Sequence, residues 1–152
     1  MQRITFLTVV LGMLGVTNAP AQQCGSSALT VSCPASIGGA LTTDDCTSSD
    51  SSPYDLWQFS GTAGQTVTIE MHSTAFDTFL ALLDPAGTPV ADSDDSSTSS
   101  TDSRITFTLT TSGTWTIFAN SLNASKTGDY NLLLSCGATN AARRRAVRHG
   151  SN

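Results

Sequence analysis

Glutamate, lysine and histidine are all scarce in this sequence: Glu70 and Lys126 stand alone, and His72 and His149 are the only histidines. With His72 the sole imidazole in the body of the chain, a Ser-His-Asp hydrolytic site would hang on one side chain on the polar side of a strand. A glutamate pair flanking a glycosidic bond is excluded, and only aspartates such as Asp77, Asp94 and Asp95 remain to form a carboxylate pair. There is neither a Gly-x-Ser-x-Gly elbow nor a phosphate-cradling glycine loop leading into a helix, which speaks against an α/β-hydrolase and against nucleotide binding. Cys-x-x-Cys is missing too, so the 4 cysteines read as disulfides rather than as a zinc site. No stretch is apolar over the roughly 20 residues needed to cross a bilayer.

What is present begins with Arg3, an apolar run over residues 4–16 and Ala19-Pro20-Ala21, the order of a secretory signal peptide occupying residues 1–21. Residues 22–136 then make one domain with room for a single two-layer core. Residues 137–152 turn to Gly, Ala, Asn and Arg with no hydrophobic period and read as a flexible basic tail carrying Arg143, Arg144, Arg145 and Arg148. All 12 acidic residues lie between Asp44 and Asp129, opposed only by Arg104 and Lys126, for a net charge of −10. Such a body repels phosphate backbones, so nucleic acid is not an expected partner. Export to the periplasm or beyond is the expected location, where the four thiols meet an oxidising environment.

Period-two alternation dominates the middle of the chain. Val67, Ile69 and Met71 alternate with Thr66, Thr68, Glu70 and His72, and the pattern returns around Ile105–Phe107–Leu109, Trp115–Ile117–Ala119 and Tyr130–Leu132–Leu134. Turn signals fall at 61–64, 84–87, 112–113 and 127–128. About eight strands are predicted, at 37–42, 54–60, 65–73, 78–84, 89–92, 104–110, 114–120 and 129–135. Many short strands with no amphipathic helix point to an all-β, antiparallel β-sandwich of the jelly-roll kind. The Ser/Thr/Asp-rich stretches 42–52 and 92–103 read as exposed loops.

The ordered string Tyr54-Asp55-Leu56-Trp57-Gln58-Phe59, Thr62-Ala63-Gly64-Gln65, Phe76-Asp77-Thr78-Phe79-Leu80, Asp84-Pro85-Ala86-Gly87, Asp94-Asp95, Ser112-Gly113-Thr114-Trp115 and Gly128-Asp129-Tyr130 resembles the bacterial pre-peptidase C-terminal domain. That family accompanies exported peptidases and is similar to the collagen-binding modules of clostridial collagenases. The resemblance implies a module without an active site. It would engage an extracellular protein or matrix surface. A carbohydrate-binding jelly roll is the alternative, since alternation would let Tyr54 or Phe118 face outward, although packing of either against a loop or a neighbouring sheet is the expectation; a small extracytoplasmic hydrolase is a further alternative.

Two site expectations follow. Asp92, Asp94 and Asp95 share a short loop after a strand and Asp77 opens the strand before it, a carboxylate cluster suited to calcium, which the collagen-binding relatives also carry. It is not an EF-hand loop, because Ser97 stands where that loop needs Gly and Ser103 where its Glu belongs. Of three possible connectivities, the expected one joins Cys33 to Cys46 around the first strand and Cys24 to Cys136 across the ends of the domain.

Overall fold

The computed structural model describes residues 24–25 and 27–138, so the expected signal segment and the expected tail from residue 139 onward lie outside the described residues. Ten strands form: β1 (Leu29–Thr30), β2 (Ala35–Leu41), β3 (Cys46–Thr47), β4 (Pro53–Gly61), β5 (Thr66–His72), β6 (Thr78–Leu83), β7 (Pro89–Ser93), β8 (Ser103–Thr108), β9 (Gly113–Ser121) and β10 (Gly128–Cys136). Eight of them are the predicted strands; β1 and β3, at two residues each, are additions too short to show a period. Among the described residues no helix is long and apolar enough to cross a membrane.

One sheet has the order β2-β10-β5-β8 and the other β1-β4-β9-β6-β7, with β3 on the side of β4. The chain changes sheet at every connection between long strands except the β6–β7 hairpin, which is the jelly-roll winding. All pairings are antiparallel apart from β1 alongside β4. Alternation decides which side chains meet between the sheets. Trp57, Phe59, Trp115 and Tyr130 are buried there with Ile69, Leu80, Ile117 and Leu132, and each aliphatic side chain contributes about 1.5–3 kcal/mol by leaving water.

The reversals fall at the expected glycines. Gly87 closes the β6–β7 hairpin at φ 81°, a backbone conformation that costs a residue with a Cβ. Gly128 combines φ 146° with the Ala75 methyl packed where its own Cβ would stand.

The disulfides join Cys24 to Cys46 and Cys33 to Cys136, which corrects the expected pairing. Cys33 and Cys46 flank β2, and an extended strand of 7 residues, at roughly 3.3 Å each, carries its two ends far apart. The register of β2 on β10 places Ala35 opposite Leu134, and two residues further along it brings Cys33 opposite Cys136. Cys24 is drawn to Cys46 at the other end of the domain, where its amide donates to the Asp44 carbonyl at 3.2 Å.

The polar stretch 42–52 is also less exposed than expected. Asp45 and Ser52 are buried in it, because short polar side chains satisfy the backbone locally: the Thr42 amide donates to Asp45 Oδ2 and the Ser52 amide to Asp50 Oδ1.

Candidate functional site

The two outer faces of the sandwich differ in chemistry. On the β5–β8 face, opposite residues pair with each other: Thr66 with Thr108 at 3.0 Å, Thr68 with Thr106 at 3.3 Å, Glu70 with Arg104 at 3.4 Å, and His72 Nδ1 with Asp102 Oδ2 at 2.9 Å. His72 therefore belongs to a cross-strand polar ladder. The neighbouring Ser73 hydroxyl donates to the Asp129 carbonyl at 2.8 Å, so it is directed away from the imidazole.

The outer face of the β4–β9–β6 sheet is aromatic. Its rungs, fixed by register, are Tyr54–Asn120–Phe79 and Leu56–Phe118–Ala81. Tyr54 and Phe118 stack with ring centroids 4.6 Å apart, and both remain half-buried on this face. Leu122, just past β9, is exposed beside them.

A loop between β3 and β4 folds over the end of this face. The Ser48 and Ser52 hydroxyls both donate to Asp50 Oδ1, which brings their oxygens within 2.7 Å of each other, and Asn120 Nδ2 donates to Ser52 Oγ at 3.0 Å. The Ser51 carbonyl accepts from the Ser125 amide at 3.0 Å, which ties the loop to the β9–β10 connection. The donors around Asp50, led by the Ser48 and Ser52 hydroxyls, hold its pKa at about 2, so it is anionic throughout the physiological range. Asn120, though it points outward by alternation, is buried beneath this loop, and its Oδ1 has no hydrogen-bond partner. The result is a groove of about 260 Å³ between loop and sheet, floored by Phe79 and Phe118 and edged by Ser48, Asp50, Asn120 and Leu122.

The expected calcium residues are only partly brought together. Asp77 precedes β6 and Asp94 and Asp95 follow β7, and the hairpin register, with Leu80 opposite Ser93, sets these ends side by side. Burial and then the charges of Asp95 and Asp94 raise the Asp77 pKa, and its Oδ1 is buried without a partner. Asp92 stands earlier, within β7 and exposed opposite Ala81, whereas the charges acting on Asp77 are those of Asp95 and Asp94. Among the described residues no three His, Cys, Asp or Glu side chains converge as a metal cluster, so the carboxylates share an electrostatic field without forming a coordination sphere as they stand.

Sequence reasoning offered Tyr54 or Phe118 as aromatics that alternation would let face outward, while expecting either to be packed against a loop or a neighbouring sheet, and it missed Phe79, Asn120 and the Ser48–Asp50–Ser52 loop contacts. Phe79 was legible from the alternation of β6. Asn120 carried no local signal, since its burial depends on a loop distant in sequence.

Residues 53–121 match the family described as the bacterial pre-peptidase C-terminal domain, in agreement with the resemblance drawn from the sequence. No curated protein matches the chain in sequence. Among solved structures, the pre-peptidase C-terminal domain of collagenase from Bacillus anthracis is similar at 14% identity and a TM-score of 0.54, covering 78% of this chain and 100% of that one. A periplasmic inhibitor of g-type lysozyme from Salmonella Typhimurium is similar at 15% identity and a TM-score of 0.50, covering 73% of this chain and 100% of that one. At these identities the likenesses establish the fold.

Proposed function

We infer that this chain, whose residues 53–121 match the bacterial pre-peptidase C-terminal domain, is an exported binding module without catalytic activity that engages an extracellular surface through the outer face of β4, β9 and β6. The observation that carries the reading is the outward aromatic cluster of Tyr54, Phe118 and Phe79, which stands on the sheet face opposite a fully paired polar ladder. Half-buried aromatic groups gathered on one outer face suit an interaction site, because together they keep apolar area in water that a partner would cover. The fold serves binding in another context as well: one structural relative is an inhibitor of g-type lysozyme. Export is supported by the signal-type N-terminal segment and by two disulfides.

The absence of catalysis is tested by offering the disulfide-bonded protein peptide, ester and glycan substrates. Turnover that His72→Ala abolishes would overturn the reading. The binding face is tested by co-sedimentation with insoluble extracellular material, which Phe118→Ala is expected to reduce.

Calcium belongs to the same proposal as a structural ligand. Asp77 with Asp94 and Asp95 would hold it, and its positive charge would offset their mutual repulsion and serve the unpartnered Asp77 Oδ1. Because an ion bound only to the native state stabilises by mass action, millimolar calcium is expected to raise the melting temperature relative to chelator, and Asp77→Ala to remove the increment. Identical melting in calcium and chelator counts against it.

A further inference from the structure

We propose that the groove beneath the Ser48–Ser52 loop binds a single pyranose ring of a neutral polysaccharide, an inference that rests on the outer β4–β9–β6 face being the binding face. Three observations converge on this ligand. The first is the floor: Phe79 and Phe118 present aromatic rings to the groove. The negative face of a π-system attracts the polarised C–H groups that line one side of a sugar ring.

The second is Asn120, 4% exposed and lining the groove, with Nδ2 committed to Ser52 and Oδ1 buried without a partner. A buried acceptor left unsatisfied is costly, and a ligand hydroxyl donating to it would remove that cost. This orphan oxygen is independent of the aromatic floor and asks for a donor, which a purely apolar side chain cannot supply.

The third is charge. The rim carries the Asp50 carboxylate, whose bonds to Ser48 and Ser52 all fall on Oδ1, beside the polar residues Ser48, Ser49 and Ser121. Among the described residues no cationic side chain lines the groove, and the body around it, between Asp44 and Asp129, has a net charge of −10 from 12 acidic and two basic residues. An anionic sugar is repelled and a neutral polyol is not. Size agrees with one ring, since about 260 Å³ falls below the roughly 300–1,000 Å³ of sites for drug-sized ligands. The stacked Tyr54–Phe118 pair continues the same face beyond the groove, where adjoining sugar residues would lie.

The test is native affinity electrophoresis of the disulfide-bonded protein through gels containing hydroxyethylcellulose, xylan, laminarin or galactomannan, with parallel gels containing alginate and gelatin. Retardation is expected in at least one neutral polysaccharide and not in alginate. Phe118→Ala and Phe79→Ala are each expected to weaken it about tenfold, the size of one lost aromatic contact, while Thr68→Ala on the opposite sheet leaves it unchanged. Melting curves accompany each variant, and Asp50→Asn, which keeps the size of the side chain, serves as a second probe of the rim if a Phe variant fails to fold. Unchanged mobility in all four neutral gels overturns the proposal, as does retardation that these variants leave intact. Retardation in gelatin alone, lost in Phe118→Ala, overturns the sugar ligand while upholding the binding face; retardation in no gel at all overturns the sugar and leaves the face to be judged by co-sedimentation.

Discussion

The Tyr130 hydroxyl lies between two buried partners, accepting from Trp57 Nε1 at 2.9 Å and donating to Asp55 Oδ2 at 2.6 Å. Burial, then the Asp55 charge, pushes its pKa far above the ordinary tyrosine range, so it is a donor at every pH at which the protein folds. Gly39 makes this possible, since a Cβ there would run into the Tyr130 ring. Tyr130→Phe is expected to cost about 1–3 kcal/mol in urea unfolding, because it withdraws a donor from a buried carboxylate and an acceptor from an indole together. The aromatic members of this trio were legible as core residues from alternation, but the bond to Asp55 was not, because it spans 75 positions. Asp77 gives a residue-level prediction of opposite sign. Its folded pKa is raised above the ordinary 3.8, first by burial and then by Asp95 and Asp94, so the native state takes up a proton more readily than the unfolded chain. Its contribution therefore disfavours folding at neutral pH, and that penalty is relieved as pH falls through the raised folded pKa toward 3.8. Asp77→Asn is accordingly expected to raise the melting temperature at neutral pH in chelator and to leave it nearly unchanged near pH 4, as read by circular dichroism. A fall at neutral pH would show that the carboxylate is stabilising where it stands.

At the scale of elements, the strand pattern was readable wherever a strand was long enough to repeat. β4, β5 and β10 run seven to nine residues with buried and less buried positions alternating as the sequence predicts, and β9 does so up to Ala119, beyond which Asn120 is buried by the loop after β3. β1 and β3 escaped because two residues carry no period; they exist through their partners, Leu29 beside Trp57 and Cys46 beside Tyr54. The disulfides failed to be legible for a related reason. Pairing depends on which strand β2 joins, and cysteine spacing does not contain the β2–β10 register that sets Cys33 against Cys136. Peptide mapping without reduction is expected to recover Cys24–Cys46 and Cys33–Cys136. In the loop-entropy account, the bridge separated by 103 residues contributes about 5 kcal/mol and the one separated by 22 about 3 kcal/mol. Replacing Cys33 and Cys136 by Ala is therefore expected to destabilise more than replacing Cys24 and Cys46. The reverse order would mean that the local bridge, which anchors the chain before the Ser48–Ser52 loop, matters beyond its closure entropy.

Taken as a whole molecule, the sandwich spends its apolar alternation on one shared core and leaves two unlike surfaces. The β5–β8 face satisfies itself through threonine pairs, the Glu70–Arg104 ion pair and the His72–Asp102 contact, which at such exposure contribute little to stability. The β4–β9–β6 face keeps an aromatic cluster, an unpartnered amide oxygen and a carboxylate at one groove. Jelly-roll winding produces this asymmetry by placing the loop after β3 across the end of only one sheet, and no composition of the chain could have announced it. The central claim, a non-catalytic module that binds through that one face, is tested most directly by offering wild type, Phe118→Ala and Thr106→Ala the same extracellular extract and quantifying what each retains. The account predicts that wild type and Thr106→Ala retain the same component and that Phe118→Ala, folded by its melting curve, loses most of it. Equal retention by all three would contradict the account.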